Sequence, residues 1–126
     1  MLRPWIAIAA VNALLAVAAG AFGAHGLEGR LSPKMLANFE TGARYHMYHA
    51  LAMLLTAIAA AHLRSNLAGA ACIAFLVGIL LFSGSLYVLA MTGVTRLGMV
   101  TPFGGLAFMV GWALLAWAAW SRGELK

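Results

Sequence analysis

The chain contains no Asp, and its acids are Glu28, Glu40 and Glu124 alone. That scarcity leaves little to solvate a water-soluble surface when 64% of the 126 residues are hydrophobic and 9% charged. It also leaves no carboxylate inside the long apolar runs, which a proton-coupled carrier would normally bury there. One cysteine, Cys72, excludes an internal disulfide and reads as inert packing. The formal charge of +5 brings no basic stripe: the Lys and Arg residues stand singly at run ends, as lipid headgroup anchors do, so no nucleic-acid partner is expected.

Four apolar runs occupy most of the chain, at about residues 5–24, 45–63, 67–92 and 102–120. Each is near or above the ~20 residues that cross ~30 Å of hydrocarbon at 1.5 Å per residue. The expected fold is therefore all-α, an integral membrane bundle of four transmembrane helices forming one domain over residues 1–126. The first run follows Met1, Leu2 and Arg3 and imitates a secretory signal. Its apolar length and Asn12 near mid-span favour a retained helix, with Asn12 hydrogen-bonding to another helix.

An even number of spans puts both termini on one side. Trp5, Trp117 and Trp120 then mark one interface and Tyr45, Tyr48 and Tyr87 the other. The positive charges do not orient the bundle: Arg3, Arg64, Arg122 and Lys126 on the terminal side match Arg30, Lys34, Arg44 and Arg96 opposite.

The one long connection contains a helix start. Ser32 is placed as N-cap, Pro33 as first helical residue, and Leu31 with Leu36 as a hydrophobic staple. This predicts an interfacial helical extension running into the second span, with Glu40 and Arg44 spaced to pair on its surface.

Small residues supply close backbone approach where lipid removes the hydrophobic drive between helices. Stripes are read at Ala16, Gly20 and Ala24, at Ala70, Ala74 and Gly78, and at Ala107 with Gly111. Gly23, Gly84, Gly104 and Gly105 complete the glycines expected at helix contacts.

Polar residues gather at the run ends that share one face: His25, Tyr45, His49, Ser83, Ser85, Tyr87 and Thr101. On the second run Tyr45, His49, Met53 and Thr56 follow one helical stripe aimed inward. Two readings remain open: a neutral His braced by Tyr or Ser hydroxyls to lock the bundle, or a wet site or pathway. Ser85 with His49 lacks a Gly-x-Ser-x-Gly elbow and so fails as a hydrolase. Of the metal-ligand candidates His25, His46, His49 and Glu40, the His-x-x-His of His46 and His49 stands alone, without third and fourth ligands at a metal-site spacing. No catalytic residue, metal or cofactor is expected.

The segments 20–25 (Gly-Ala-Phe-Gly-Ala-His), Thr41-Gly42 with Tyr45 and His49, 81–87 (Leu-Phe-Ser-Gly-Ser-Leu-Tyr), 101–105 (Thr-Pro-Phe-Gly-Gly) and Gly111-Trp112 occur in order across all four runs. In these the chain resembles the YgdD/YwdK-like family of small membrane proteins of unknown function. The resemblance implies a four-span protein of the bacterial plasma membrane and no particular activity. It also implies that His46, where relatives carry Gln, is dispensable to any shared role. The expected function is a non-enzymatic accessory or structural component whose partners are the lipid bilayer and a homo-oligomer or larger membrane complex. The alternative is an oligomeric channel or transporter with a polar site at one interface.

Overall fold

In the computed structural model, which describes residues 2–122, with the side chains of Ser65 and Arg122 outside the description, every regular element is helical. Glu124 and Lys126 lie outside the described residues. Helix α1 covers Arg3–Ala21 and continues through a π turn, Phe22–Gly26. Helix α2 covers Pro33–Ala59 and ends in a 3₁₀ turn, Ala60–His62. Helices α3 (Ser65–Gly78) and α4 (Gly84–Thr92) join through a second π turn, Ile79–Ser83. A 3₁₀ turn, Thr95–Met99, leads into α5 (Thr101–Arg122).

Local chemistry sets the boundaries. Ser32 Oγ accepts from the Met35 amide at 3.2 Å, with Pro33 opening α2. Leu31 and Leu36, at the staple positions, both pack on the buried cluster of Leu27, Phe39 and Ala90. Gly93, in the left-handed region at φ 74°, ends α4 and donates its amide to Leu89 O at 2.8 Å. The segment before Gly42 and the apolar run after it form one unbroken helix of 27 residues.

Among the described residues three stretches are long and apolar enough to cross a membrane: Arg3–Gly26, Asn66–Thr92 and Thr95–Ser121. The sequence predicts four such runs, and α2 is the exception because Arg44, two tyrosines and two histidines fall in it. The histidines turn inward. His46, His49 and Thr56 are buried, whereas Arg44, Tyr45 and Tyr48 are exposed along with Leu51, Leu55 and Ile58. Helix α2 sits at the centre of the fold, against α1 on one side and α3 and α4 on the other, while α5 packs on α3. Consecutive long helices alternate in direction. Leu2 N meets Ala57 O and Arg64 N meets Ala118 O at one end, and the Leu27, Phe39 and Ala90 cluster closes the other.

The core is filled by Ala9, Ala52, Met53, Ala71, Phe75, Ile79 and Phe108. On α3 and α5 it is an antiparallel interlock of glycines and phenylalanines. A Cβ on Gly78 would lie 2.2 Å from the Phe108 ring, and one on Gly111 would lie 2.6 Å from Phe75. At Gly104 the approach is backbone to backbone, with a Cβ falling 2.2 Å from Phe82 N. The pairs 75 with 111, 78 with 108 and 82 with 104 form one continuous register.

The stripe expected on α1 is displaced. Gly20 has nothing within 4 Å of a built Cβ and Ala24 is exposed. The buried positions are instead Ala9, Ala16 and Gly23, seven residues apart, and a Cβ on Gly23 would fall 3.0 Å from the Phe39 ring. Gly84 and Gly105 make only ordinary contacts, at 3.9 Å. On α3 the buried face runs through Ala68, Ala71, Cys72 and Phe75, leaving Ala70 and Ala74 half-buried.

Candidate functional site

The polar residues form three separate connections. The first crosses α1, α2 and α4. Asn12 uses its Nδ2 on Ile8 O (2.9 Å), which leaves Oδ1 as acceptor for His46 Nε2 at 3.0 Å. Tyr87 Oη lies 2.9 Å from His46 Nδ1. Because Oδ1 can only accept, His46 carries its proton on Nε2 and Nδ1 accepts from the tyrosine hydroxyl. Asn12 is thus the interhelical bond its sequence position suggests.

The second connection ties α2 to α5. His49 Nδ1 lies 2.8 Å from Tyr45 O, a carbonyl that can only accept, and Trp112 Nε1 donates to His49 Nε2 at 3.1 Å. His49 is therefore neutral with its proton on Nδ1, the opposite tautomer to His46 one turn away. Its ring lies flat on Phe108, with centroids 3.5 Å apart and planes 7° apart. Bracing comes from a backbone carbonyl and an indole, not from the Tyr or Ser hydroxyls expected.

The third connection is made by the residues around the Ile79–Ser83 π turn. Ser83, fully buried, donates to Gly42 O at 2.7 Å and ties the turn to α2. Ser85 donates to Phe82 O at 2.9 Å and meets the Thr101 hydroxyl at 2.5 Å, tying α4 to the start of α5. Ser83, Ser85 and Tyr87 thus serve three different contacts, not one cluster.

Two of the grouped residues stand apart. His25 is exposed on the first π turn. Tyr45 is 37% exposed and stands at the rim of the stripe whose deeper members, His49, Met53 and Thr56, are buried. Its ring lies 4.8 Å from Phe82 and 5.5 Å from Tyr48. Tyr87, expected in an aromatic belt, turns inward and packs at 4.9 Å on Phe39. Glu40 and Arg44 are both exposed.

Sequence reasoning gave His46, Trp112 and Gly42 no place in the polar site. A Cβ on Gly42 would meet the Tyr87 ring at 3.1 Å, and its carbonyl holds Ser83. A polar side chain in each of three runs, Asn12, His46 and Tyr87, was the available signal for the first connection. Among the described residues every buried side-chain nitrogen and oxygen has a partner, and no three His, Cys, Asp or Glu side chains converge.

Tyr45, Tyr48 and His49 also border a lateral groove of about 450 Å³ between α2 and α5, closed by Phe82, Phe108, Met109 and Trp112. Helices α2 and α5 meet there mainly through side chains.

The chain is similar to bacterial membrane proteins over nearly its whole length. It is 47% identical over 120 residues to UPF0382 membrane protein YwdK of Bacillus subtilis, covering 94% of this chain and 97% of that protein. It is 45% identical over 114 residues to a UPF0382 membrane protein of Staphylococcus epidermidis, covering 90% and 93%. A UPF0382 membrane protein of Haemophilus influenzae is 40% identical over 126 residues, 99% of this chain and 100% of the relative. No solved structure matches. The family model described as "Protein of unknown function (DUF423)" matches residues 19–105, and with these relatives it places the chain in that family, as an integral membrane protein.

Proposed function

We propose that this protein is a non-enzymatic component of the bilayer, with all four long helices spanning it, that supports a larger membrane complex or the organisation of nearby lipid. The carrying observation is the occupancy of the buried rings. All four nitrogens of His46 and His49 are engaged by partners whose roles are fixed by Asn12, Tyr87, Tyr45 and Trp112. A group relaying protons or coordinating a solute needs a free nitrogen facing water, whereas these hold helices together. Met53 and Phe75, which fill the centre beside His49, are 0% exposed.

The membrane placement of α2 rests on its inverted surface. Its middle shows Tyr48, Leu51, Leu55 and Ile58 outward and keeps His46, His49 and Thr56 inside. A helix in water favours the reverse. Inside the membrane, α2 with α1, α3–α4 and α5 makes an up-down-up-down bundle with both termini on one side.

Flux measurements test the reading. Liposomes containing the purified protein are expected to pass protons and small solutes no faster than empty liposomes between about pH 5 and 8, the window in which an accessible imidazole would titrate. A protein-dependent flux that disappears in a folded His49→Gln variant would overturn the structural reading in favour of an oligomeric channel, since one packed bundle of four helices leaves little room for a pore.

A further inference from the structure

We infer that the groove between α2 and α5 seats one acyl chain of an anionic phospholipid, with the lipid phosphate held at Arg44. This rests on the proposed placement of α2 in the bilayer and names the lipid that this face would bind. From Gly105 to Trp112 the α5 wall extends ~10 Å at 1.5 Å per residue, and the opposite wall is formed by Tyr45 and Tyr48 on α2. The floor is a laid surface of flat rings: His49 lies on Phe108 at 3.5 Å, and Phe82 stands 5.4 Å from Phe108 and 4.8 Å from Tyr45. Phe82 takes that place because the π turn Ile79–Ser83 brings its backbone onto Gly104. Gly105 keeps the space open, since a Cβ there touches only Phe82, at 3.9 Å.

Both polar atoms on the floor are consumed, His49 Nε2 by Trp112 and Nδ1 by Tyr45 O, so an occupant at that depth gains nothing from polar groups of its own. The headgroup end differs. Arg44 is exposed and stands one helical turn from Tyr48 on the same face of α2. At this end of the bundle Arg30, Lys34, Arg44 and Arg96 outnumber Glu28 and Glu40, so positive charge remains in excess even with Glu40 one turn from Arg44. An exposed arginine one turn from a groove-wall tyrosine and next in sequence to a second matches a phosphate whose chain lies in the apolar slot.

Trp112 lines the groove and so reports on its occupant. In protein carrying Trp5→Phe, Trp117→Phe and Trp120→Phe, a minor fraction of phosphatidylglycerol with brominated chains in phosphatidylcholine vesicles is expected to quench Trp112 as though enriched about fivefold, the ratio corresponding to ~1 kcal/mol per cation at an anionic lipid. Brominating the phosphatidylcholine instead should quench less than its mole fraction predicts. Arg44→Gln should return both to bulk mixing. Gly105→Leu, which fills the slot without a backbone clash, should lower quenching by either lipid while the helical spectrum is kept. Quenching that follows bulk mole fraction in the unmodified protein overturns the lipid seat and leaves the membrane placement standing. Weak quenching by both lipids overturns it in favour of a protein segment covering the groove. Quenching of Trp112 by aqueous iodide would overturn the seat and the placement of α2 together.

Discussion

His46 and His49 lie one turn apart on α2 and hold their protons on opposite nitrogens, because an amide oxygen and a backbone carbonyl each demand a donor from a different ring atom. The consequence for substitution is specific. Gln at position 46 can donate an amide hydrogen to Asn12 Oδ1 and accept from Tyr87 with its own oxygen. His46→Gln is therefore expected to keep most of the stability, whereas His46→Ala leaves two buried partners unsatisfied and should cost ~1–3 kcal/mol. Trp112→Phe removes only the donor to His49 Nε2 and should destabilise within the same range, at its lower end, since the ring still packs on Phe75 at 5.0 Å. Unfolding in detergent measures all three, and a silent His46→Ala would show that the α1–α2–α4 connection is not a lock. Asn12, His49 and the inward stripe were legible because a polar residue in an apolar run has few places to go. His46 was not, since its partners lie 34 and 41 residues away.

At Ile79–Ser83 the chain departs from the 3.6-residue period on which face assignments rest. A π turn adds a residue, so positions beyond it rotate relative to those before it. Ser83 then faces Gly42, Ser85 faces Thr101 and Tyr87 faces His46. No periodic reading of the third run predicts this, because the extra residue is accommodated by tertiary packing against Gly104 and carries no local signal of its own. The start of α2, by contrast, was fully legible: Ser32, Pro33 and the Leu31 and Leu36 staple act within one turn. Glycine roles divide along the same line. Gly78, Gly104 and Gly111 receive Phe108, Phe82 and Phe75, while Gly20 faces open space. Gly104→Ala is expected to lower thermal stability in detergent by ~1–3 kcal/mol, because Phe82 backbone atoms cannot swing away as a side chain would. Gly105→Ala and Gly20→Leu should change little. Equal effects at Gly104 and Gly105 would mean that the close approach of α5 to the π turn is not needed for packing.

Helix number and order follow from hydropathy and length, because bilayer thickness imposes the same ~20-residue requirement on every spanning helix. What hydropathy reads poorly is a helix whose polar side chains are enclosed by its neighbours. Helix α2 carries the interior histidines and Thr56 as well as exposed Arg44, Tyr45 and Tyr48, so its mean hydropathy falls short of that of the other three although Leu51, Leu55 and Ile58 face outward. Orientation is equally hard to read, since charges divide evenly between the two ends. The number of spans nonetheless has a sharp physical consequence. If α2 crosses, reporters placed near Met1 and after Lys126 fall on the same side of the membrane, with the connections bearing Arg30 and Arg96 on the other. If α2 lay along the interface, three crossings would put the termini on opposite sides, and the hydrogen bonds from His46 to Asn12 and from Trp112 to His49 would have to break for α2 to leave α1 and α5. Dual-reporter fusions at the termini, with cysteine labelling at positions 30 and 96, are expected to return one side for both ends and the opposite side for both loops. Termini on opposite sides would eliminate the four-span bundle, and with it the membrane placement on which the lipid groove depends.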